Sequence, residues 1–589
     1  MCGIIGYVGP RNATEIVVSG LKKLEYRGYD SFGFAVKLNP DIKVLKRVGK
    51  IGSVTLEELG LPASNIAVGH TRWATHGGVT EVNAHPHASN DGKIVVVHNG
   101  IIENFQDQKK FLESQGYKFQ SETDTEVIPH TIAYHMKKGY DFVEACKHSL
   151  KHLDGQYALV VLNKDENKVI AIRKEAPLVI GVGEGENFIA SDIPAFLDYT
   201  KKVIFLAEMD MAIIDGKDVS IFNLKENSIV SRPIDSIDWD AEQAKKGNFE
   251  HFFMKEVSEQ AGVIERILNL DTKVLKEIAD DIRNAKGIFL VGCGTAGYAC
   301  INATYLFSKI ANQHVNFAIP SEFPNFRHFL TKDSLVIAVS QSGETADILE
   351  AMRAAKAAGA KVISITNVMG STAMREADKT ILQRAGPEIS VLSTKAYTSQ
   401  LAILTLLAYE LAGKFDEGKE KLQDLIRHIY YLTSEQVRKF IQKIAENLRY
   451  AEHIYLIGRG PQYPTALEAA LKIKEVSYIH AEAYAGGELK HGTIALIEYG
   501  TPCIVFTSSE TEKEIISNAM ELKARGGYII GVGPNNNPAF DVWIKVRESE
   551  EANSICQIIP MQILAYQLAI LRGCDPDKPR NLAKSVTVK

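Results

Sequence analysis

The chemistry in this chain starts at its second residue. In Met1-Cys2-Gly3-Ile4-Ile5-Gly6, removal of Met1 leaves a thiol and a free α-amine on the same carbon. Such an amine has an intrinsic pKa of roughly 7.7–8.0, so part of it is unprotonated at neutral pH and can take the thiol proton directly or through a water. By itself a Cys beside Ile4 and Ile5 reads first as a small buried hydrophobe. Three polar clusters change that reading: His70-Thr71-Arg72-Trp73-Ala74-Thr75-His76-Gly77, Val97-His98-Asn99-Gly100 and Ser121-Glu122-Thr123-Asp124-Thr125-Glu126, each placed at a strand end. An Arg and an Asp can clamp the carboxylate and ammonium of an amino acid, and an Asn amide followed by a Gly N–H can form an oxyanion hole. Singly these are capped turns; together with Cys2 they amount to an amide-hydrolysis site.

A second set of residues lies downstream. Ser340-Gln341-Ser342-Gly343-Glu344-Thr345 closes an apolar run and opens a helix, so backbone N–H groups, the helix dipole and three hydroxyls converge there as a nest for a phosphate monoester. Gly292-Cys293-Gly294-Thr295-Ala296-Gly297 matches a dinucleotide-binding pattern, but the next acid, Glu322, falls about thirty positions on and past Pro320, where a ribose-binding acid is expected about twenty on. Lys472 and Glu475, with Glu468 nearby, share a helix predicted over Pro464–Ser477. His491 follows in Gly486-Gly487-Glu488-Leu489-Lys490-His491-Gly492. A Lys, a Glu and a His could supply proton transfers at a sugar, although on spacing alone a solvated pair and a loop histidine are the commoner explanation. The tail Pro579-Arg580-Asn581-Leu582-Ala583-Lys584-Ser585-Val586-Thr587-Val588 is apolar between its polar residues, so it can dock, and a desolvated Lys584 is an amine nucleophile toward a ketone.

The elements that must position these groups fall into two grammars. Up to about residue 240 short β-rich runs dominate, among them Ile4–Val8, Phe32–Val36, Ile66–Val68, Ile94–Val97 and Tyr157–Leu162, with a helix over Asp124–Lys138. A polar stretch, Ile237–Glu250, reads as a linker. Beyond it, strand–Gly–helix units follow βαβ grammar with a parallel sheet, and the interval of about fifty residues from Gly292 to the serine loop recurs from Gly458 to Thr507-Ser508-Ser509-Glu510, a sign of internal duplication. That second loop has no Gly and carries an acid, so the copy is expected to be empty of anion. The chain has 589 residues, 45% apolar and 24% charged, with a net charge of −5 and no basic block, which excludes nucleic-acid binding by bulk electrostatics. Seven Cys without a Cys-x-x-Cys pair fit a reducing compartment, no signal peptide is evident, and the run Leu401–Ala412 is too short to span a bilayer. A cytoplasmic protein without membrane or nucleic-acid partners is expected.

Cys2-Gly3-Ile4, the Arg72 cluster, Asn99-Gly100 and Asp124 resemble the N-terminal-nucleophile glutaminase domain of amidotransferases, which alone leaves amidophosphoribosyltransferase and asparagine synthetase open. The paired Ser-loop domains resemble sugar isomerase (SIS) domains. Together with Tyr478-Ile479-His480-Ala481-Glu482-Ala483-Tyr484 through His491 and the tail Asn581–Val588, the whole chain resembles the glutamine:fructose-6-phosphate aminotransferase (isomerising) family. The resemblance implies an α/β chain: an αββα Ntn glutaminase domain over 2–240, a linker over 241–265, doubly wound parallel-sheet SIS domains over 266–415 and 416–575, and a tail over 576–589 entering the synthase site. It implies that Cys2 attacks the glutamine amide, that Asn99 and Gly100 stabilise the oxyanion, and that Arg72, Thr75, His76 and Asp124 hold the amino acid, with Trp73 gating an ammonia channel. Cys293, Gly294, Thr295, Ser340, Gln341, Ser342, Thr345, Val391 and Ala583 would bind the sugar phosphate. Lys584 maps to the Schiff-base lysine, Glu475 to the enolisation base with Lys472 beside it, and His491 to a ring-opening histidine contributed by the neighbouring subunit of a homodimer. The implied partners are L-glutamine and D-fructose 6-phosphate, the product D-glucosamine 6-phosphate opens amino-sugar biosynthesis, and no metal or redox cofactor is required. One departure is Ala296, where several relatives carry Ser; a missing hydroxyl contact would weaken phosphate binding by roughly 0.5–1.5 kcal/mol. A rival reading, a non-catalytic sugar-phosphate sensor, has no use for Cys2 or Lys584.

Overall fold

The computed structural model of the chain describes residues 2–239 and 241–587. It divides into two compact units, Met1–Lys245 with Ala583–Lys589, and Lys246–Leu582.

Among the described residues, the first unit holds an eight-stranded and a seven-stranded sheet. Gly3–Val8 lies within the first, antiparallel to Ile66–Arg72 on one side and Asn187–Ala190 on the other. In the second, Ile94–Ile102 pairs along its whole length with Gly155–Asn163. Period-two alternation sends Ile4, Val8 and Val68 of one sheet and Val95, Val97, Ala158 and Val160 of the other into one shared core. The opposite face of the second sheet, with Ile94, Val96, Leu159 and Val161, packs under helices Val127–Lys137 and Phe142–Leu150. Helix Ala13–Lys23 covers Gly3–Val8 and Ile66–Arg72. The result is an αββα stack. The strand expected over Ile94–Val97 runs on to Ile102 because the pairing with Gly155–Asn163 continues, so Asn99 and Gly100 sit inside a strand rather than at its end.

The second unit contains two five-stranded sheets, parallel throughout. One runs Asn316–Ala318, Gly287–Val291, Ser334–Ser340, Lys361–Thr366, Lys379–Leu382. The other runs His480–Ala485, His453–Gly458, Pro502–Phe506, Tyr528–Gly533, Val542–Lys545. In both, the chain's second strand lies outside its first and the remaining three follow in order, the topology a duplication would leave. Two stretches differ from the sequence reading. Within 241–265, expected as linker, helices Phe252–Ser258 and Gln260–Ile267 form, because Phe253, Val257, Ala261, Ile264 and Ile267 recur at helical spacing and are all fully buried. Leu401–Ala412 is not the stretch nearest to bilayer-spanning length: among the described residues that is the helix Asn553–Leu571. By length and composition it resembles a membrane span, yet it is apolar all round because it is a core helix, packed on Gln462–Ser477 with 83% of its most apolar window buried.

Candidate functional sites

In the first unit Cys2 leads into the strand Gly3–Val8, and the facing end of Ile66–Arg72 brings Trp73 to its sulfur. The Trp73 N–H donates to Cys2 Sγ at 3.2 Å, and the thiol faces Trp73 O at 3.6 Å. Burial pushes the Cys2 thiol up from its ordinary value, partly offset by the Trp73 hydrogen bond and the Arg72 charge. Asn99 reaches the same spot from the other sheet: it is buried, and its Nδ2 donates to Cys2 O at 2.8 Å. Gly100, at φ +129°, follows it, and a Cβ there would stand 1.9 Å from Gln156 O, so only glycine permits this strand pairing. A nucleophile, an amide donor and a glycine backbone therefore meet at one place.

Arg72 is buried, and its guanidinium donates to the carbonyls of His76, Gly77 and Gly78, shaping the 76–78 loop beside the site. Asp124, also buried, accepts from Ile102 N at 2.7 Å, which fixes it to the strand that carries Asn99. Thr75 is exposed; His76 is half-buried against the edge of Phe105, and Trp73 meets Tyr29 edge-on at 5.5 Å. Asp30 and Glu122 escape the sequence reading. Asp30 accepts from Ala74 N at 2.9 Å, and Glu122 accepts from Gly78 N and Asn83 Nδ2. Glu122 stands in a cluster already singled out; Asp30, in the polar run Arg27-Gly28-Tyr29-Asp30, could have been suspected only from its spacing to the strand that follows.

In the second unit the two Gly/Ser loops lie at the carboxyl ends of adjacent strands. Helix Gly294–Ala311 starts behind Cys293, and helix Ala346–Ala357 behind Thr345. Ser340 Oγ accepts from Gly343 N at 3.0 Å and Ser342 Oγ from Glu344 N at 3.2 Å, while Ser340 and Thr345 hydroxyls stand 3.5 Å apart. Gly343, at φ +65°, has no room for a Cβ, which would fall 2.3 Å from Ser371 Oγ. Glu344 pins the loop from below by accepting from Thr372 N and Oγ1. Gln341 is half-buried, and Val391 is buried with its N–H donating to Asp577 O.

Helix Gln462–Ser477 brings the acid–base residues to these loops. Lys472 Nζ contacts Glu475 at 2.7 Å and Glu468 at 3.4 Å, and donates to Thr295 Oγ1 at 3.0 Å and Ser393 O at 3.3 Å. Thr295 Oγ1 in turn donates to Glu468 Oε1 at 3.2 Å. Thus Thr295, predicted for the sugar phosphate, is bonded to Lys472, the lysine expected beside the enolisation base. Glu468 and Lys472 are wholly buried. Burial, reinforced by the like charge of Glu475, raises Glu468 to about 8 despite the opposing Lys472 ammonium. Burial also opposes the Lys472 charge, but the two carboxylates outweigh it and its pKa rises. Of the two carboxyl groups, Glu475, one-fifth exposed, is the nearer to the ammonium. Ser393 had no sequence signal, since it acts through a carbonyl from a loop remote in the chain.

His491 ends a short 3₁₀ turn, Glu488–His491, and is exposed. Ala583 and Lys584 are half-buried and group with the first unit, so they are not among the residues that the second unit assembles. In the duplicated loop Ser509 N and Oγ both donate to Glu548 Oε2, at 2.8 and 2.6 Å, and Glu510 pairs with Lys309. An internal carboxylate thus takes the serine donors there, and it comes from Glu548 rather than the Glu510 expected from sequence. Among the described residues no group of His, Cys, Asp and Glu is arranged to hold a metal ion.

The SIS domain family matches residues 281–409 and 447–572, and the glutamine amidotransferase domain family matches residues 70–198. The chain is 44% identical over 603 aligned positions to the glutamine–fructose-6-phosphate aminotransferase (isomerizing) of Thermococcus kodakarensis and 45% identical over 599 to that of Pyrococcus horikoshii, with 100% of both chains covered in each case. Among solved structures, the C-terminal domain of glucosamine-fructose-6-phosphate aminotransferase from Francisella tularensis is similar with a TM-score of 0.52 and 34% identity, covering 57% of this chain and 100% of that one. This chain belongs to the family of isomerizing glutamine–fructose-6-phosphate aminotransferases.

Proposed function

We infer that the chain converts L-glutamine and D-fructose 6-phosphate to L-glutamate and D-glucosamine 6-phosphate. The observation that carries this reading is full-length likeness at 44–45% identity to aminotransferases so named. The meeting of Cys2 Sγ with Trp73 N–H and of Asn99 Nδ2 with the Cys2 carbonyl supports it chemically.

In this account the α-amine of Cys2 takes the thiol proton, the thiolate adds to the glutamine amide carbon, and the oxyanion is held by Asn99 Nδ2 and the Gly100 N–H. Collapse expels ammonia, and water then releases glutamate from the thioester. Arg72, Thr75, His76 and Asp124 are assigned to glutamine and Trp73 to the passage of ammonia. At the second site Ser340, Gln341, Ser342 and Thr345, with Cys293, Gly294, Thr295, Val391 and Ala583, are assigned to the phosphosugar. Lys584 forms a Schiff base at the ketone carbon, ammonia displaces it, and Glu475 moves a proton from C1 to C2, with His491 opening the ring. Overall one water is consumed at Cys2 and one released at the sugar, so no redox partner enters. A homodimer in which exposed His491 serves the neighbouring subunit, working in the cytoplasm, completes the assignment; the seven unpaired cysteines suit that compartment.

Cys2→Ala tests it. Glutamine-dependent synthesis should vanish while synthesis from added ammonium persists; full glutamine-dependent activity in this variant would overturn the assignment.

A further inference from the structure

His70 lies in the strand Ile66–Arg72 and is fully buried, yet its ring crosses to the other sheet of the sandwich. Its Nε2 stands 2.9 Å from the backbone oxygen of His98 and 3.1 Å from Asn99 Oδ1. A carbonyl oxygen can only accept, so the His98 carbonyl requires a proton on Nε2. With Nε2 a donor, the Asn99 atom that faces it must be the amide oxygen. The amide nitrogen is then turned the other way, where it donates to Cys2 O at 2.8 Å. Each step in this chain fixes the next. Were the Asn99 amide reversed, its NH₂ would oppose the Nε2–H and its oxygen would oppose the Cys2 carbonyl.

We propose that His70 is a positioning residue that locks the Asn99 amide with its N–H toward the nucleophile, so that the oxyanion donor is oriented before glutamine binds. The inference rests on Asn99 being that donor. Without His70 the Cys2 carbonyl is the one contact described above that opposes a half-turn of the Asn99 amide, which would exchange a donor for an acceptor in the place where negative charge develops. The surroundings keep His70 in the single-donor form. Its ring stacks on His85 at 4.1 Å with planes 10° apart, and burial lowers it to about 3, so it stays neutral across the working range. The Nδ1 atom is buried without a hydrogen-bond partner, leaving Nε2 as the only place where the proton earns a bond. A buried histidine kept only for packing would need neither the His98 carbonyl nor the Asn99 oxygen at hydrogen-bond distance from one nitrogen.

The test compares substitutions at His70 in wild-type and Asn99→Ala backgrounds, reading glutaminase kcat and KM on the full chain. Asn99→Ala should itself lower kcat by about 10²-fold or more. His70→Leu should lower kcat by about 10- to 100-fold with KM for glutamine changed less than about threefold, and should cost less than about twofold more once Asn99 is Ala. His70→Gln, whose amide nitrogen falls near the position of Nε2, should keep kcat within about fivefold of wild type, whereas His70→Asn, whose nitrogen falls near Nδ1, should behave like His70→Leu. If His70→Leu does not fold, the Gln and Asn variants carry the same comparison. Equal losses from His70→Leu in both backgrounds, or equal activity of His70→Gln and His70→Asn, would overturn the proposal while leaving Asn99 its role. Full activity of Asn99→Ala would overturn both.

Discussion

The backbone N–H of Trp73 points at the sulfur of Cys2 from 3.2 Å, where burial pushes that thiol up from its ordinary value. A single N–H donor lowers the cost of forming a thiolate without abolishing it, so the site still needs a base. No carboxylate or imidazole is hydrogen-bonded to Cys2 Sγ among the described residues. The α-amine that Met1 removal would free, with Met1 itself outside the described residues, is the base the account uses.

A peptide bond retained on that nitrogen should therefore silence the first site. A variant with one residue inserted before Cys2 that resists removal is expected to lose glutaminase kcat by about 10³-fold, the middle of the range for losing a general base. Synthesis from ammonium should stay within twofold of about wild-type rate. Mass spectrometry of the N-terminus, run beside the glutaminase assay, checks both the state and the consequence.

The buried cluster of the second unit makes a pH prediction. Glu468 titrates near pH 4.5 when unfolded but at about 8 in the fold. Its folded pKa is raised, so between those values the native state holds a proton that the unfolded chain has released. The contribution to stability is fully present below the unfolded pKa and is lost as pH rises through the folded one. Relative to Glu468→Gln, which cannot ionise, wild-type stability should fall with pH by up to about 1.4 kcal/mol per unit between roughly pH 5 and 8. Thermal midpoints of the two proteins across that range should diverge; parallel profiles would show that Glu468 is ionised in the fold.

Lys584 carries the Schiff base in the account, although its segment, Ala583–Lys589, groups with the first unit. Borohydride reduction in the presence of fructose 6-phosphate should attach the hexose phosphate to Lys584, found by peptide mapping, and Lys584→Arg should abolish both trapping and synthesis. Trapping at Lys472 instead would reassign the lysine.

Much of this was legible in the residues, and what was not has a physical cause. Cys2, Asn99-Gly100 and the serine loop declare themselves because reactive or donor-rich types are spaced as the chemistry needs. The duplication is legible because Gly292 and Gly458 punctuate the same strand–helix turn. The polarity of the first site was hidden: His70 and His98 stand in the polar clusters of the sequence, but that one ring nitrogen joins a backbone carbonyl to Asn99 depends on two sheets packing face to face. The helices at 252–267 were hidden by polar neighbours at the start of that stretch, although Phe253, Val257, Ala261 and Ile264 keep helical spacing. Lys472 was read from its i,i+3 neighbour Glu475, whereas its contact with Thr295 joins helices over 170 positions apart in sequence, a relation no local pattern carries.

The central claim is that nitrogen from glutamine ends on the sugar. Incubation of the purified chain with fructose 6-phosphate and glutamine labelled with ¹⁵N at the amide, in the presence of unlabelled ammonium, tests it in one mass spectrum. The account predicts ¹⁵N-glucosamine 6-phosphate formed in step with glutamate, and none from Cys2→Ala. Glutamate released with no labelled amino sugar would contradict it.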